Sequence, residues 1–411
     1  MRKLLLATCL CVLIVWPSSL GAQTVTPAGD GETTRAPVSA DSASAPAFPA
    51  TDDPTASAPP AGVVGPIAAS ISFLFLGQGN DQGQQAPEKR SPWMLLPVVS
   101  SGPKMGTSFG FLGSYLHYFD PKSQVSMFGL MYEYSTTKSQ VGAVFARTSF
   151  KEDSQRLEGI VAYAYVRNEY KDYMGTGQTF KTTDEALLGA GRYLYRVKGP
   201  WFVGAEAVFG NYSMEGETDL QNKILNILGL AGVHMGGVGL VMMHDSRDNQ
   251  DMPVSGWYAN LNWLANRDAL GADEDFDTTR LEVKGFIEHG KGHVFAVRQN
   301  NQWTHEAPAS AESTVEVRGY KMQQYLGKHM ASLEAEERLR FSRRWGATLF
   351  GGTAYLYGSG DTRLSSDGWY PFGGAGIQFI VKPEDHMLLN LEFAHGNLNN
   401  YGIYLKFAYA W

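Results

Sequence analysis

From Trp93 to the C-terminus the chain repeats one pattern: segments of roughly ten to fifteen residues, rich in Tyr, Phe, Val and Gly, divided by polar clusters. Asp120, Pro121, Lys122 and Ser123 form one such cluster, Lys151, Glu152, Asp153 and Ser154 a second, and Lys382, Pro383, Glu384 and Asp385 a third. This is the punctuation of strands and turns. No later stretch reaches eighteen uninterrupted apolar residues, whereas a membrane-spanning helix takes about 20. The closing segment is the most regular. Ile403, Leu405, Phe407, Tyr409 and Trp411 alternate with Gly402, Tyr404, Lys406, Ala408 and Ala410. A period of two puts the first set on one face of a strand, and that face is apolar enough to meet lipid.

About sixteen such segments fit into residues 93–411, which allows about 20 residues for each strand with its connection. A transmembrane strand uses ~9–11 residues, leaving the remainder for short turns on one side and longer loops on the other. The expected fold is all-β, an antiparallel transmembrane barrel of about sixteen strands over residues 92–411. A soluble propeller or sandwich is the competing use of short strands. In a membrane the sheet must close, because an open edge leaves backbone groups unpaired in hydrocarbon.

Residues 1–22 read as a secretory signal peptide: Arg2 and Lys3 precede an apolar core, and Ser19, Leu20, Gly21 and Ala22 supply a small-residue cleavage site. Cleavage removes Cys9 and Cys11, the only two cysteines, and with them any disulfide, thiolate metal site or cysteine nucleophile. Residues 23–62 contain 27 Ala, Pro, Ser or Thr in forty and are expected to be a disordered tail, with a tether to cell wall or partner as the alternative. Residues 63–91 hold a short apolar run, 63–76, and a polar linker. The run is too short to span as a helix and reads as a plug or docking element. A net charge of −7 offers no basic stripe, so nucleic acid is not an expected partner.

Two motifs are more specific. Asp245, Ser246, Arg247, Asp248 and Asn249, then Pro253, then Gly256, Trp257 and Tyr258 describe a strand, a charged hairpin tip and a return strand. Val317, Arg318, Gly319 and Tyr320 follow in a later connection. Together they resemble the bacterial surface antigen family, the barrel of the outer-membrane assembly factors BamA and TamA. The tetrapeptide is similar to the signature of that family's sixth outer loop, which folds into the lumen between the eleventh and twelfth strands and sets its arginine against the inner wall. Residues 389–396 resemble the family's penultimate strand. The resemblance covers roughly residues 93–411. It implies a bacterial outer-membrane barrel that handles membrane proteins or lipids.

The inner wall can be argued from the residues alone. Along residues 332–342, Ser332, Glu334, Glu336, Arg338 and Arg340 share one face, and Leu333, Ala335, Leu339 and Phe341 the other, with Glu337 the exception. The charged face looks inward, because an arginine on the lipid face near mid-membrane costs about 2–4 kcal/mol. Arg318 arriving from its loop would meet Glu334 and Glu336 as bidentate partners. The alternative is a solvated arginine. The sequence departs from the family pattern at Gly352, where the resemblance would put an acid facing the loop arginine. It also departs before the barrel, where no repeated POTRA domain is legible, so the resemblance carries over the barrel's role and not the periplasmic one.

Neither an enzyme nor a metal or cofactor site is expected. His244 beside Asp245 is the nearest thing to a catalytic pair, but strand neighbours point to opposite faces. His289 and His293 flank a glycine-rich turn that reads as solvated. The first strand, expected over residues 93–99, contains Pro97, which lacks a ladder donor and is confined to edges, strand starts or bulges. Pro97 and Val98 on that strand, with Leu405, Phe407 and Trp411 on the last, define a weak seam. Such a seam would template strands of unfolded outer-membrane proteins, or pass lipid, by edge pairing. The competing reading is a loop-plugged channel or porin-like transport barrel. The expected partners are outer-membrane lipid, those clients, and the outer-membrane assembly machinery for the chain's own insertion.

Overall fold

A computed structural model describes residues 92–102, 106–170, 180–227, 231–248, 252–308, 311–320, 325–359, 367–382, 387–397 and 400–407. The expected signal peptide, tail, apolar run and Trp411 lie outside these residues, as does Asn249.

Sixteen antiparallel strands follow one another around a single sheet in chain order. They are β1 (Trp93–Gly102), β2 (Gly106–His117), β3 (Ser126–Ser135), β4 (Gln140–Phe150), β5 (Gln155–Tyr170), β6 (Phe180–Lys198), β7 (Trp201–Gly216) and β8 (Gly232–Asp245). The second half comprises β9 (Gly256–Asn266), β10 (Phe276–Glu288), β11 (Val294–His305), β12 (His329–Arg340), β13 (Trp345–Tyr357), β14 (Gly368–Lys382), β15 (Met387–Gly396) and β16 (Tyr401–Phe407). The two ends of the sheet, β1 and β16, lie in contact. Among the described residues no backbone ladder joins them.

Alternation sorts every strand into two faces. Leu130, Val144, Leu157, Val161, Leu240, Leu333, Leu349, Ile377 and Leu391 all project outward and are exposed. A belt of that size has no place in water, and it is the lipid-facing band of a barrel. Aromatic rings gather toward its margins, with Trp93 on Tyr115 at 5.0 Å, Trp345 on Phe379 at 4.8 Å, and Tyr355 on Trp369 at 4.5 Å. The two longest connections, after β7 and β11, run from odd to even strands, whereas most of those from even to odd are short, such as the two residues between Lys198 and Trp201. By that asymmetry the long connections are the outer loops.

Three features differ from expectation. β1 continues to Gly102, because Ser100 and Ser101 pair with Ser108 and Thr107 beyond the expected end at residue 99. The connection from β7 to β8 contains a helix, α1 (Asp219–Ile227). Its start is a reciprocal cap in which Thr218 Oγ1 accepts from Gln221 N–H at 3.3 Å and Gln221 Oε1 accepts from Thr218 N–H at 3.1 Å. Finally, His289 in its turn is not simply solvated, since its Nε2 lies 2.7 Å from Glu337 Oε1.

Candidate functional site: a loop latched inside the barrel

The connection between β11 and β12 turns back into the lumen. A short ladder, Ser313 to Gly327 and Thr314 to Leu326, closes its neck. Beyond it Val315, Val317 and Tyr320 are buried against Met330 of β12, Phe350, Ala354 and Leu356 of β13, Tyr370 and Phe372 of β14, and Ala394 of β15. Apolar burial thus seats the loop before any charge is considered.

Two glycines permit the fit. Gly319 has φ 93, which an L side chain rarely adopts, and a Cβ there would stand 3.1 Å from Gly396 N. Gly396 in turn lies under the Tyr320 ring, where a Cβ would come to 2.5 Å from Cζ. The Gly319 N–H donates to the Tyr404 hydroxyl on β16 at 2.9 Å. The Tyr320 hydroxyl accepts from Asn397 N–H at 2.9 Å and has two acceptors for its single proton, Pro371 O at 2.7 Å and Asn397 Oδ1 at 2.8 Å. Burial pushes the phenol above its ordinary value, against the opposing bond from the Asn397 backbone.

Arg318 is then held on four sides. Its Nη2 is hydrogen-bonded to Glu334 and lies 2.7 Å from Glu336 Oε2, and its Nη1 lies 3.2 Å from Glu392 Oε2 on β15. The guanidinium carbon sits 3.4 Å from the centroid of the Phe350 ring. Glu336 also accepts from Arg338 Nε at 2.7 Å. Arg318 is 8% exposed and all three carboxylates are buried, so water does little to screen the cluster. Gly352, where the family pattern suggested an acid, stands opposite Glu334 in the ladder, and a Cβ there would come 2.2 Å from Leu333 O. The acids come instead from β12 and, unforeseen in the sequence, from Glu392.

The β8–β9 hairpin divides its motif between two faces. Asp245 takes both forks of Arg247, at 2.8 and 3.0 Å, and Arg156 Nη1 lies 3.6 Å from its other side. Arg247 lies over the inward Tyr258 ring at 4.5 Å. Asp248 Oδ1 accepts from Val254 and Ser255 N–H, each at 3.1 Å, closing the turn. Gly256, with φ 94, passes so close to Ser246 O that a Cβ would come to 2.3 Å. Trp257 faces outward and stacks on His244 at 3.7 Å. His244 and Asp245 therefore belong to opposite faces and form no dyad.

At the seam, the ladder fixes which way Pro97 points. Leu116 N–H donates to Pro92 O at 2.8 Å, so residues 92 and 116 form a hydrogen-bonded pair. Such pairs alternate along an antiparallel ladder. Pro97, opposite Phe111 and five residues on, therefore occupies a non-hydrogen-bonded position whose amide side faces away from β2. The donor that proline lacks is lost on the edge turned toward β16. Val98 beside it is half-buried and inward. Leu405 and Phe407 pair with Leu391 and Leu389 in the β15–β16 ladder.

No protein-family model matches the chain, and no curated protein is similar to it in sequence. Solved structures are similar in fold. BamA from Haemophilus ducreyi lacking POTRA domains 1–3 superposes with TM-score 0.52 at 12% identity, covering 83% of this chain and 76% of that one. CdiB from Escherichia coli gives TM-score 0.57 at 10% identity over 82% of this chain and 68% of that one. CdiB from Acinetobacter baumannii gives 0.52 at 8% identity, with 77% of this chain matching 59% of the other. At such identities the likeness is one of fold: the chain is a sixteen-stranded β-barrel of the kind found in BamA and CdiB.

Proposed function

We propose that the chain is a bacterial outer-membrane barrel of the surface antigen group, exported by a cleaved signal peptide, that assists insertion or translocation of membrane proteins or lipids at its first-to-last strand seam. The observation that carries this reading is Pro97, whose missing donor lies on the edge of β1 turned toward β16. An edge short of a donor closes less firmly, and an incoming strand or lipid competes there at lower cost. The reading is non-catalytic, with His244 engaged by Trp257 and Asp245 by Arg247. Unfolded outer-membrane proteins or lipids are the clients in this proposal.

The test places a photo-crosslinking residue at Leu95, then at Val98, in living cells. Capture of C-terminal strands from other barrels is the expected outcome. Capture of this chain's own residues 405–409 alone would mean a closed barrel and would end the reading. One observation favours a second reading, a gated channel: the latched loop occupies the lumen. In that case deletion of residues 317–327 raises planar-bilayer conductance sharply, whereas an insertase stays weakly conducting.

A further inference from the structure

Two neighbouring connections at the short-turn end carry uncompensated positive charge. Residues 289–293 join β10 to β11, and residues 341–344 join β12 to β13. The β11–β12 ladder sets them side by side: Val294 stands opposite Arg338, and a Cβ on Gly292 would lie 3.4 Å from Arg340 Cβ. Lys291 in the first turn and Arg343 and Arg344 in the second are exposed. The carboxylates at these strand ends are already engaged. Glu337 Oε1 lies 2.7 Å from His289 Nε2, and Glu288 Oε1 accepts from Gly292 N–H at 3.3 Å. Among the described residues no carboxylate pairs with Lys291, Arg343 or Arg344. In other turns Lys122 is matched by Glu152 at 3.0 Å and Arg267 by Asp277 at 2.7 Å.

The second turn holds its arginines at fixed roots. Ser342 Oγ accepts from Arg344 N–H at 3.3 Å and from Trp345 N–H at 3.0 Å. Trp345 O accepts from Phe341 and Ser342 N–H at 3.0 and 3.2 Å, and Arg344 O from Ile380 N–H of β14 at 2.7 Å. With these backbone groups satisfied inside the protein, the two guanidinium forks are what the turn offers outward. Their surroundings select the partner. Phe341 and Trp345 flank them on the lipid-facing side, 67% and 51% exposed. Aromatic rings at the rim of a barrel sit at headgroup level, so cations between them lie among the headgroups of the leaflet on the short-turn side. A soluble acidic partner has no use for the rings, whereas an amphiphile meets both. Guanidinium forks match phosphate oxygens. Net negative charge then separates anionic from zwitterionic phospholipid, by about fivefold for each Lys or Arg near the surface.

We propose that Lys291, Arg343 and Arg344, framed by Phe341 and Trp345, bind an anionic phospholipid of that leaflet, its phosphate on the arginines and its acyl chains against the rings. The lipid fixes the depth of β12 and β13, the strands that carry Glu334, Glu336 and Phe350 of the latch. The site stands whether or not the seam opens.

The test uses the full chain folded in phosphatidylcholine vesicles that contain a minor, constant fraction of phosphatidylglycerol. Either the phosphatidylglycerol or an equal fraction of the phosphatidylcholine is brominated near the headgroup. Because the chain has nine tryptophans, quenching at Trp345 is read as the difference between the protein and Trp345→Phe. Quenching at Trp345 is expected to favour brominated phosphatidylglycerol by at least about fivefold. At Trp263, toward the opposite margin and read likewise through Trp263→Phe, the two lipids should quench equally. Arg343→Gln with Arg344→Gln is expected to abolish the preference at Trp345 while the folded band on an unheated gel is unchanged. Arg343→Lys with Arg344→Lys should keep part of it, since the charge remains and the fork is lost. Equal quenching by the two lipids in the unaltered protein would overturn the proposal. So would a preference that survives the glutamine pair, or one as strong at Trp263, which would belong to the barrel as a whole.

Discussion

Arg318→Ala isolates the charge from the apolar contacts that also seat the loop. The wild-type guanidinium meets Glu334, Glu336 and Glu392 and covers the Phe350 ring, with no partner more than 8% exposed. Removing one member of a buried ion pair costs about 3–5 kcal/mol, because the remaining charges stay desolvated. Three carboxylates left with Arg338 push the effect toward the upper end. At 1.4 kcal/mol per decade, the undocked population rises by about a hundredfold to a few thousandfold. Val315, a fully buried residue of the loop itself, supplies the reporter as Val315→Cys. Where opening is fast relative to labelling, the maleimide rate follows the undocked population. Arg318→Lys should fall between wild type and alanine, since it keeps the charge but loses the fork and the stacked plane. An increase below tenfold for Arg318→Ala would show that Val315, Val317 and Tyr320 hold the loop by burial alone, and the electrostatic account would be wrong.

Other consequences are more local. Tyr320→Phe leaves Asn397 N–H and Pro371 O without the hydroxyl and should destabilise the docked loop by about 1–3 kcal/mol, read by the same Val315→Cys labelling. Asp120 is held below its ordinary value of 3.8, first by the Ser123 hydroxyl and then, against some desolvation, by backbone N–H groups of Glu152, Ser123 and Lys122. A lowered value favours the carboxylate in the fold, so its contribution is present above 3.8 and is lost as pH falls through the lower folded value. Thermal unfolding between pH 5 and about 2 should therefore depend on pH less steeply in Asp120→Asn than in wild type, and identical slopes would refute the turn-to-turn staple. Pro97→Val restores the donor facing β16, so crosslinking of clients from Leu95 should drop; unchanged capture would remove the proline from the argument.

The strand count and the inward charges were legible because a period of two is local: Glu334, Glu336 and Arg338 share a face whatever the barrel's curvature. The loop's destination was legible too, from four residues, 317–320, and from their resemblance to a known signature. Glu392 was not, since it reaches Arg318 from β15, three strands beyond β12, and only the loop folding across the inner face of the curved sheet brings the two together. The direction of Pro97 was hidden for a different reason. Sequence places a proline in a strand, but which edge loses a donor depends on ladder phase, and a shift of one residue would have reversed it. The helix α1 was missed although Thr218 and Gln221 carry a capping-box spacing, because nine residues between long strands give little periodicity to read.

The latch has a consequence for how such a seam would move. Arg318 and Tyr320 engage β12, β13, β14 and β15, and Gly319 reaches β16 through Tyr404. On the other side of the seam, Met94 and Val98 of β1 pack with the apolar wall of β2–β8. The two edges of the seam are therefore braced from different sides of the lumen, β16 by the loop and β1 by the apolar wall. Opening the seam would leave the latch intact, with β16 retained by the loop and β1 leaving with its own wall. Tyr404→Phe tests this division. It removes one hydrogen bond, about 1 kcal/mol net, which corresponds to roughly fivefold faster amide exchange where that bond controls local opening. The acceleration should fall on Gly402 and Ile403 of β16, with Leu95 and Val98 of β1 unchanged. Equal acceleration on both strands would mean that the two edges open as one unit, and that the loop holds the seam shut instead of holding one side of it.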